Sequence, residues 1–362
     1  MTTESKGTKK KLKNSASLNE KDKYLIVREN SATSHSFKSL SSVTIQGFFD
    51  SNNAFRIFYE NHSCYDLVPD SSKLVVFDTS LNVQKAFYAL IYNGVRAGIL
   101  WDNDKQDYVG MFTITDFIKI LCSEYKVSGP DFERFQHLES QNISSWRSKY
   151  STTDSDFSGL GSVRPEDSLK QAVQALLSKR VHRLPVIDNI SGNPLHIITH
   201  KRILKFLHIN LYHLPIPAFM TQPIGDIPIG TYANVCKIRL DQAIIEGLTM
   251  FLQFRVSALP VVDADDILQD IYSKFDVINL ATTRTYHQLN RSISDALAYR
   301  EKKFEQVATC YRTDSLQAVI DHFHTHEVHR LIIIDKNHRV EGIISLSDVL
   351  EFFIRDHPSD GV

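Results

Sequence analysis

Two kinds of polar residue recur in this chain at matched places, and together they suit an anion that carries a sugar. The first is a basic position at the entry to an apolar strand: Arg96; His182-Arg183, with Arg180 just upstream; Arg255; and His329-Arg330. Arginine grips phosphate through a planar fork of donors, and a neighbouring histidine can add another. The second is a hydroxyl residue followed three places later by an acid. It reads Thr113-Ile114-Thr115-Asp116, Ser273-Lys274-Phe275-Asp276 and Ser345-Leu346-Ser347-Asp348, with Thr199-His200-Lys201-Arg202 as the altered copy. An ionised aspartate only accepts hydrogen bonds, which fits the paired hydroxyls of a ribose. The helix that each run opens has free N–H groups at its start, which fit a phosphate.

The same run is also what a plain helix cap looks like, and for one copy alone capping explains it. Copy two argues for more. Arg202 caps nothing, and cations accumulate around it at Lys201 and Lys205. Copy two therefore reads as a lost sugar site whose basic residues turn toward a phosphate zone shared by all copies. The histidines could instead be satisfied core residues or metal ligands. His322, His326 and His329 would share one helix face, yet no cysteine or aspartate completes a ligand set, and an adjacent arginine opposes a metal ion. No GxSxG, HExxH, Walker loop or kinase signature is present, and neither column pairs a nucleophile with a base. Binding without turnover is the reading; the chain is expected not to be an enzyme.

The elements that hold these columns form an internal repeat. Val181-His182-Arg183-Leu184-Pro185-Val186-Ile187-Asp188 and Val328-His329-Arg330-Leu331-Ile332-Ile333-Ile334-Asp335 agree at six of eight positions. Arg255 to Asp263 and Gly94 to Asp102 are weaker copies. Each copy starts with a helix: Leu169, Ala172, Val173, Leu176 and Leu177 have helical spacing, as do Leu316, Val319, Ile320 and Phe323. Caps are expected at Pro165-Glu166-Asp167-Ser168 and at Thr313-Asp314-Ser315. A near-continuously apolar strand follows, as in a sheet buried on both faces. A polar turn, a second strand and a second helix complete the unit. The aspartate ending the first strand precedes Asp116, Arg202, Asp276 and Asp348 by 14, 14, 13 and 13 residues. A unit of this size cannot cover its own apolar faces, so copies should pack in tandem pairs. The expected class is α/β, built of α+β repeats. They span residues 56–129, 156–218, 229–291 and 303–360, after a disordered tail over 1–55.

With 362 residues and a net charge of −1, the chain has no overall field to draw it to nucleic acid or to an anionic membrane. No apolar run approaches the ~18 residues of a membrane span, and the lysine-rich start lacks a signal peptide's apolar core. Cys64, Cys122, Cys236 and Cys310 are widely spaced, as idle thiols of a reducing compartment would be. The expected location is the cytoplasm, with the nucleus also open to it. Gly159-Leu160-Gly161 is a loop, and Lys9-Lys10-Lys11 a solvated run.

These residues resemble the cystathionine-β-synthase-type (CBS) domain in four copies. More closely, they resemble the gamma regulatory subunits of AMP-activated protein kinase. The likeness rests on Ser72-Lys73-Leu74-Val75-Val76-Phe77-Asp78-Thr79-Ser80-Leu81, Asn93-Gly94-Val95-Arg96-Ala97 and Thr199-His200-Lys201-Arg202-Ile203-Leu204-Lys205-Phe206. It rests equally on Ile229-Gly230-Thr231-Tyr232-Ala233-Asn234, Arg255 to Asp263 and Ile271 to Leu280. The resemblance implies a pseudo-fourfold disk of two tandem pairs, with AMP, ADP and ATP competing at central sites. It implies a heterotrimer with a catalytic alpha subunit and a scaffold beta subunit. By the same resemblance Asp116, Asp276 and Asp348 would face ribose, and Arg96, His182, Arg183, Lys201, His329 and Arg330 would surround phosphates. Thr231, Asn234, Arg255, Ser257, Ala258, Ser345 and Ser347 would line sites in the second pair. From the hydroxyl column and copy two, Thr113, Thr115, Thr199 and Lys205 complete the candidate set.

Overall fold

The computed structural model describes residues 51–128, 141–150, 160–278, 288–298, 300 and 307–357. The expected tail up to residue 50, the lysine run and Gly159 lie outside the described residues. Residues 51–55, expected to belong to that tail, are ordered in turn and helix. A 3-10 turn over Ser51–Asn53 leads into α1, Ala54–Asn61. Phe55 on this helix is buried against the rings of Phe219 and Phe353, which holds it in place.

Repeat one comprises β1 (Val76–Asp78), α2 (Val83–Tyr92), β2 (Ala97–Asp102), β3 (Asp107–Thr113) and α3 (Ile114–Ser128), followed by α4 (Ile143–Tyr150). Repeat two has α5 (Leu169–Ser178), β4 (Arg183–Ile187), β5 (Pro194–Thr199) and α6 (His200–Asn210). Repeat three has β6 (Ile238–Arg239), α7 (Ile244–Gln253), β7 (Ala258–Val262) and β8 (Leu268–Ser273). A 3-10 turn over Lys274–Asp276 follows, and then α8 (Ile293–Ala298). Repeat four has β9 (Thr309–Cys310), α9 (Leu316–Thr325), β10 (Arg330–Ile334), β11 (Val340–Ser345) and α10 (Leu346–Ile354).

The unit thus starts one strand earlier than its apolar helix. β1, β6 and β9 each lie parallel to the strand after that helix, and Val163 bridges Val186 in the same way in repeat two. Two or three residues are too few to carry a periodic signal. The central strands β7 and β10 are buried throughout, as their unbroken apolar runs require, whereas β11 alternates buried and half-buried residues. Helix starts follow the side chains. Asn82 accepts from the amides of Gln84 and Lys85, Ser168 forms a capping box with Gln171, and Ser315 accepts from the Ala318 amide.

The four first helices share one ending. A C-cap residue in right-handed helical geometry (Asn93, Lys179, Phe254 or His326) is followed by one with positive φ: Gly94 at 63°, Arg180 at 49°, Arg255 at 53° and Glu327 at 52°. This left-handed residue stops the helix and turns the chain into the strand. The turn fixes the register of the basic column, and that register corrects one expectation. Arg96, His182, Ser257 and His329 are equivalent, and so are Ala97, Arg183, Ala258 and Arg330. Arg255 belongs to the exposed turn instead, so repeat three brings no cation to this column.

Packing closes the repeats into a ring. The largest core joins α1 to the helices of repeats two and four; the second joins repeats one and three. A third is made by strands of repeats three and four. Along the chain, Ser72 hydrogen-bonds His196 between repeats one and two, and Thr231 exchanges backbone bonds of 2.8 and 2.9 Å with Ile343 between three and four. Round the ring the order is therefore one, two, four, three. Repeats one and four are diagonal to each other, as are two and three, and diagonal partners can meet only at the centre.

Candidate functional site

The first diagonal meets there in contact, and the second is linked there through charge. From repeat one, Arg96 places Nη1 3.4 Å from His329 Nε2 of repeat four. From repeat three, the Lys274 charge acts on His182 of repeat two, as do those of Arg183 and Arg330. Arg330 is buried and donates to Ser257 Oγ at 3.2 Å, and Lys274 Nζ lies 3.3 Å from Thr115 Oγ1. The rings of His182 and His200 stand edge to face with centroids 5.6 Å apart. Arg96, His182, Arg183, His200, Lys274, His329 and Arg330 thus converge from four repeats on one spot.

Crowded cations in a partly buried site oppose one another's charge. Burial, with Arg96 nearby, lowers Arg183 to about 10. Burial lowers Lys274 to about 8, against the pull of Asp116 and with Lys119 and Arg330 adding to the fall. His182, though partly exposed, is pushed to about 3 by burial and then by His200, Lys274, Arg183 and Arg330. A ligand bearing several negative charges relieves this repulsion; a neutral or cationic one does not.

Three carboxylates sit in matching geometry just after β3, β8 and β11. Asp116 Oδ2 accepts from Thr113 N and Oγ1, both at 2.8 Å; Asp276 Oδ2 accepts from Ser273 N and Oγ at 2.7 and 3.0 Å. Asp348 Oδ2 accepts from Ser345 N and Oγ, both at 2.7 Å. Burial raises the pKa of each above the usual carboxylate range. In Asp116 and Asp348 capping and acceptor roles can coexist, because the cap bonds fall on one oxygen. Asp276 differs in that Arg300 also reaches it, Nε to Oδ1 at 2.8 Å, while bonding Asp270 Oδ1 at 2.8 Å. Burial alone would lower Arg300, but Asp276 and Asp270 outweigh it and raise its pKa.

Copy two departs from its expected role. Thr199 caps the Arg202 amide at 3.3 Å, so the local backbone matches the other copies. The Arg202 charge acts on His196, on β5, rather than on the central cluster. Lys201 Nζ turns to Glu327, 2.9 Å from its carbonyl oxygen, and Lys205 lines a groove between α6 and α9 with His208 and His324. It is His200, one residue earlier, that joins the centre. The remaining candidates are placed as follows. Ser347 is half-buried beside Asp348, Ala258 is buried at the start of β7, and Thr231 and Asn234 are exposed on the segment before β6.

His200 and Lys274 were legible in principle. Their position, second in the hydroxyl column, is Ile114 and Leu346 in the other copies, both buried. A cation at an apolar position of a repeat is a signal. His329 also leaves the suspected metal face, because α9 stops at Thr325 and Glu327 turns the chain inward. Among the described residues no group of three or more His, Cys, Asp or Glu side chains is arranged to hold a metal ion.

His196 and His200 are 8 % and 6 % exposed, and burial holds both at about 4. Arg202 adds to the fall at His196, and His329 and Arg183 add to it at His200. Since an unfolded imidazole binds its proton near 6.5, the unfolded chain is protonated first on acidification. Their contribution to stability is complete above about pH 6.5 and is lost as pH falls toward 4, at up to about 1.4 kcal/mol per unit for each group. Denaturant unfolding at pH 7 and pH 5 checks this: His196→Gln and His200→Gln should each flatten the dependence.

The CBS domain model matches residues 159–209 and 304–355. The chain is 44 % identical over 297 residues to the 5'-AMP-activated protein kinase subunit gamma-3 of Homo sapiens, covering 82 % of this chain and 60 % of that one. It is 43 % identical over 298 residues to the subunit of the same name in Bos taurus, with 82 % and 59 % covered. The match therefore spans about three-fifths of the length of these relatives. Among solved structures, protein MJ1225 of Methanocaldococcus jannaschii, a proposed archaeal homolog of g-AMPK, superposes with a TM-score of 0.64 at 16 % identity. That likeness covers 80 % of this chain and 99 % of the other, and shows the same fold. The chain thus carries the CBS domain and, over 82 % of its length, is similar to the gamma subunits of AMP-activated protein kinase.

Proposed function

We propose that this chain is a non-catalytic regulatory subunit that binds AMP, ADP and ATP in competition and passes the cell's energy state to a kinase. Its partners in this reading are a catalytic alpha subunit and a scaffold beta subunit, in the cytoplasm and, by extension, the nucleus. The observation that carries it is the convergence of cations from four repeats on one cluster, with a capped carboxylate after the second strand of three of them. Phosphates would take the centre, against Arg96, His182, Arg183, His329 and Arg330. Riboses would take Asp116, Asp276 and Asp348. AMP, ADP and ATP deliver different charge to the same cluster, so each favours a different balance of the side chains around it. A difference in binding free energy between two states is what allosteric control requires.

Calorimetric titration of the purified chain with AMP, ATP and S-adenosylmethionine tests this, with stoichiometry read for each. AMP and ATP should compete, and S-adenosylmethionine, which lacks phosphate, should displace neither. A chain that prefers S-adenosylmethionine would mark a CBS regulator of another class, and one that binds no nucleotide an interaction scaffold. No helix among the described residues is long and apolar enough to cross a membrane.

A further inference from the structure

Arg96 reaches the centre from the diagonal corner of the ring, and its guanidinium plane lies on an aromatic ring. Its Cζ stands 3.8 Å from the centroid of Phe275, and Phe275 in turn lies 5.9 Å from the His329 ring. A guanidinium offers its face and its edge to different partners. The face is attracted to the electron-rich face of an aromatic, and the N–H edge binds oxyanions. With the face held on Phe275 and Nη1 directed to His329, the plane of Arg96 is set before any anion arrives. A long arginine side chain would otherwise lose rotamer freedom on binding.

The position of Phe275 is distinctive within the repeat. Its equivalents are Thr115, Lys201 and Ser347, so only repeat three presents an aromatic here. It sits in the Lys274–Asp276 turn, whose three consecutive side chains have three destinations. Lys274 goes to the central cluster, Phe275 lies under Arg96, and Asp276 goes to Ser273 and Arg300. The turn therefore links the repeat-three carboxylate to a cation from repeat one.

We propose that Phe275 is a positioning residue, orienting Arg96 for the phosphate of a nucleotide at the centre of the ring; this rests on the nucleotide reading above. It acts through Arg96, and it explains why an arginine rather than a lysine serves at that place, since an ammonium has no plane to stack.

The test is a double-mutant cycle on the full chain, with AMP and inorganic pyrophosphate as probes and thermal melts as a control for folding. Phe275→Leu should weaken AMP binding roughly five- to tenfold, in the range of a desolvated cation–π contact, while Phe275→Tyr and Phe275→Trp stay near wild type. In an Arg96→Gln background, Phe275→Leu should change affinity less than twofold. Equal losses in both backgrounds would show that Phe275 merely supports the fold and would overturn the proposal, as would full affinity in Phe275→Leu. If the wild-type chain binds neither AMP nor pyrophosphate, the nucleotide reading falls and this inference with it.

Discussion

Arg330→Gln is expected to weaken AMP binding by roughly ten- to a hundredfold, the equivalent of one charge-assisted hydrogen bond to phosphate at about 1.5–3 kcal/mol. The arginine is 7 % exposed and fixed by Ser257, so its donors reach the centre in one orientation. The substitution should not unfold the chain. The Arg330 charge helps to depress both His182 and Lys274, so removing it relieves repulsion in the ligand-free protein. The expected result is a large loss of affinity with an unchanged or slightly raised Tm. Calorimetry and a thermal melt on one preparation decide the matter. Unchanged affinity would remove Arg330 from the site, and a collapsed Tm would make it a structural residue.

The second large effect concerns stability and lies far from the centre. Phe55→Ala is expected to cost about 3–5 kcal/mol, as for other buried phenylalanines cut to alanine. Phe55 is 1 % exposed; its ring meets Phe353 edge-on at 4.8 Å and Phe219 at 6.0 Å. It therefore joins α1 to the last helix of repeat four, some 300 residues away along the chain. A fall in Tm of roughly 10 °C should follow, with nucleotide affinity retained below the transition. A melt indistinguishable from wild type would mean that α1 does not seal this core.

The repeat was readable because six identical positions recur in two strands and because the two columns keep their spacing. Arg96, His182, Arg183, His329 and Arg330 were found by that means, since a polar residue at the mouth of an apolar strand needs a reason. Arg255 was misplaced for an equally physical cause. The residue that ends each first helix is defined by a positive φ, and Gly94, Arg180, Arg255 and Glu327 share no chemistry that would reveal it. Charge draws Lys205 to the centre in sequence, and charge together with the resemblance draws Lys201 there. In the structure both line the groove between α6 and α9, where Lys201 bonds Glu327. Arg300 joins Asp276 from beyond the repeat-three helix, where no pattern links the two in sequence. Nor could periodicity say which repeats would be neighbours, because an apolar face records that it must be covered and not by what.

The interlaced cores have a consequence for dissecting the molecule. Severing the chain between its second and third repeats cuts no core along its boundary. It removes repeat four from repeat two, and repeat three from repeat one, exposing both interiors at once. Each half is the other's missing interior. The natural unit for truncation, fusion or reconstitution from fragments is therefore the closed ring and not the tandem pair.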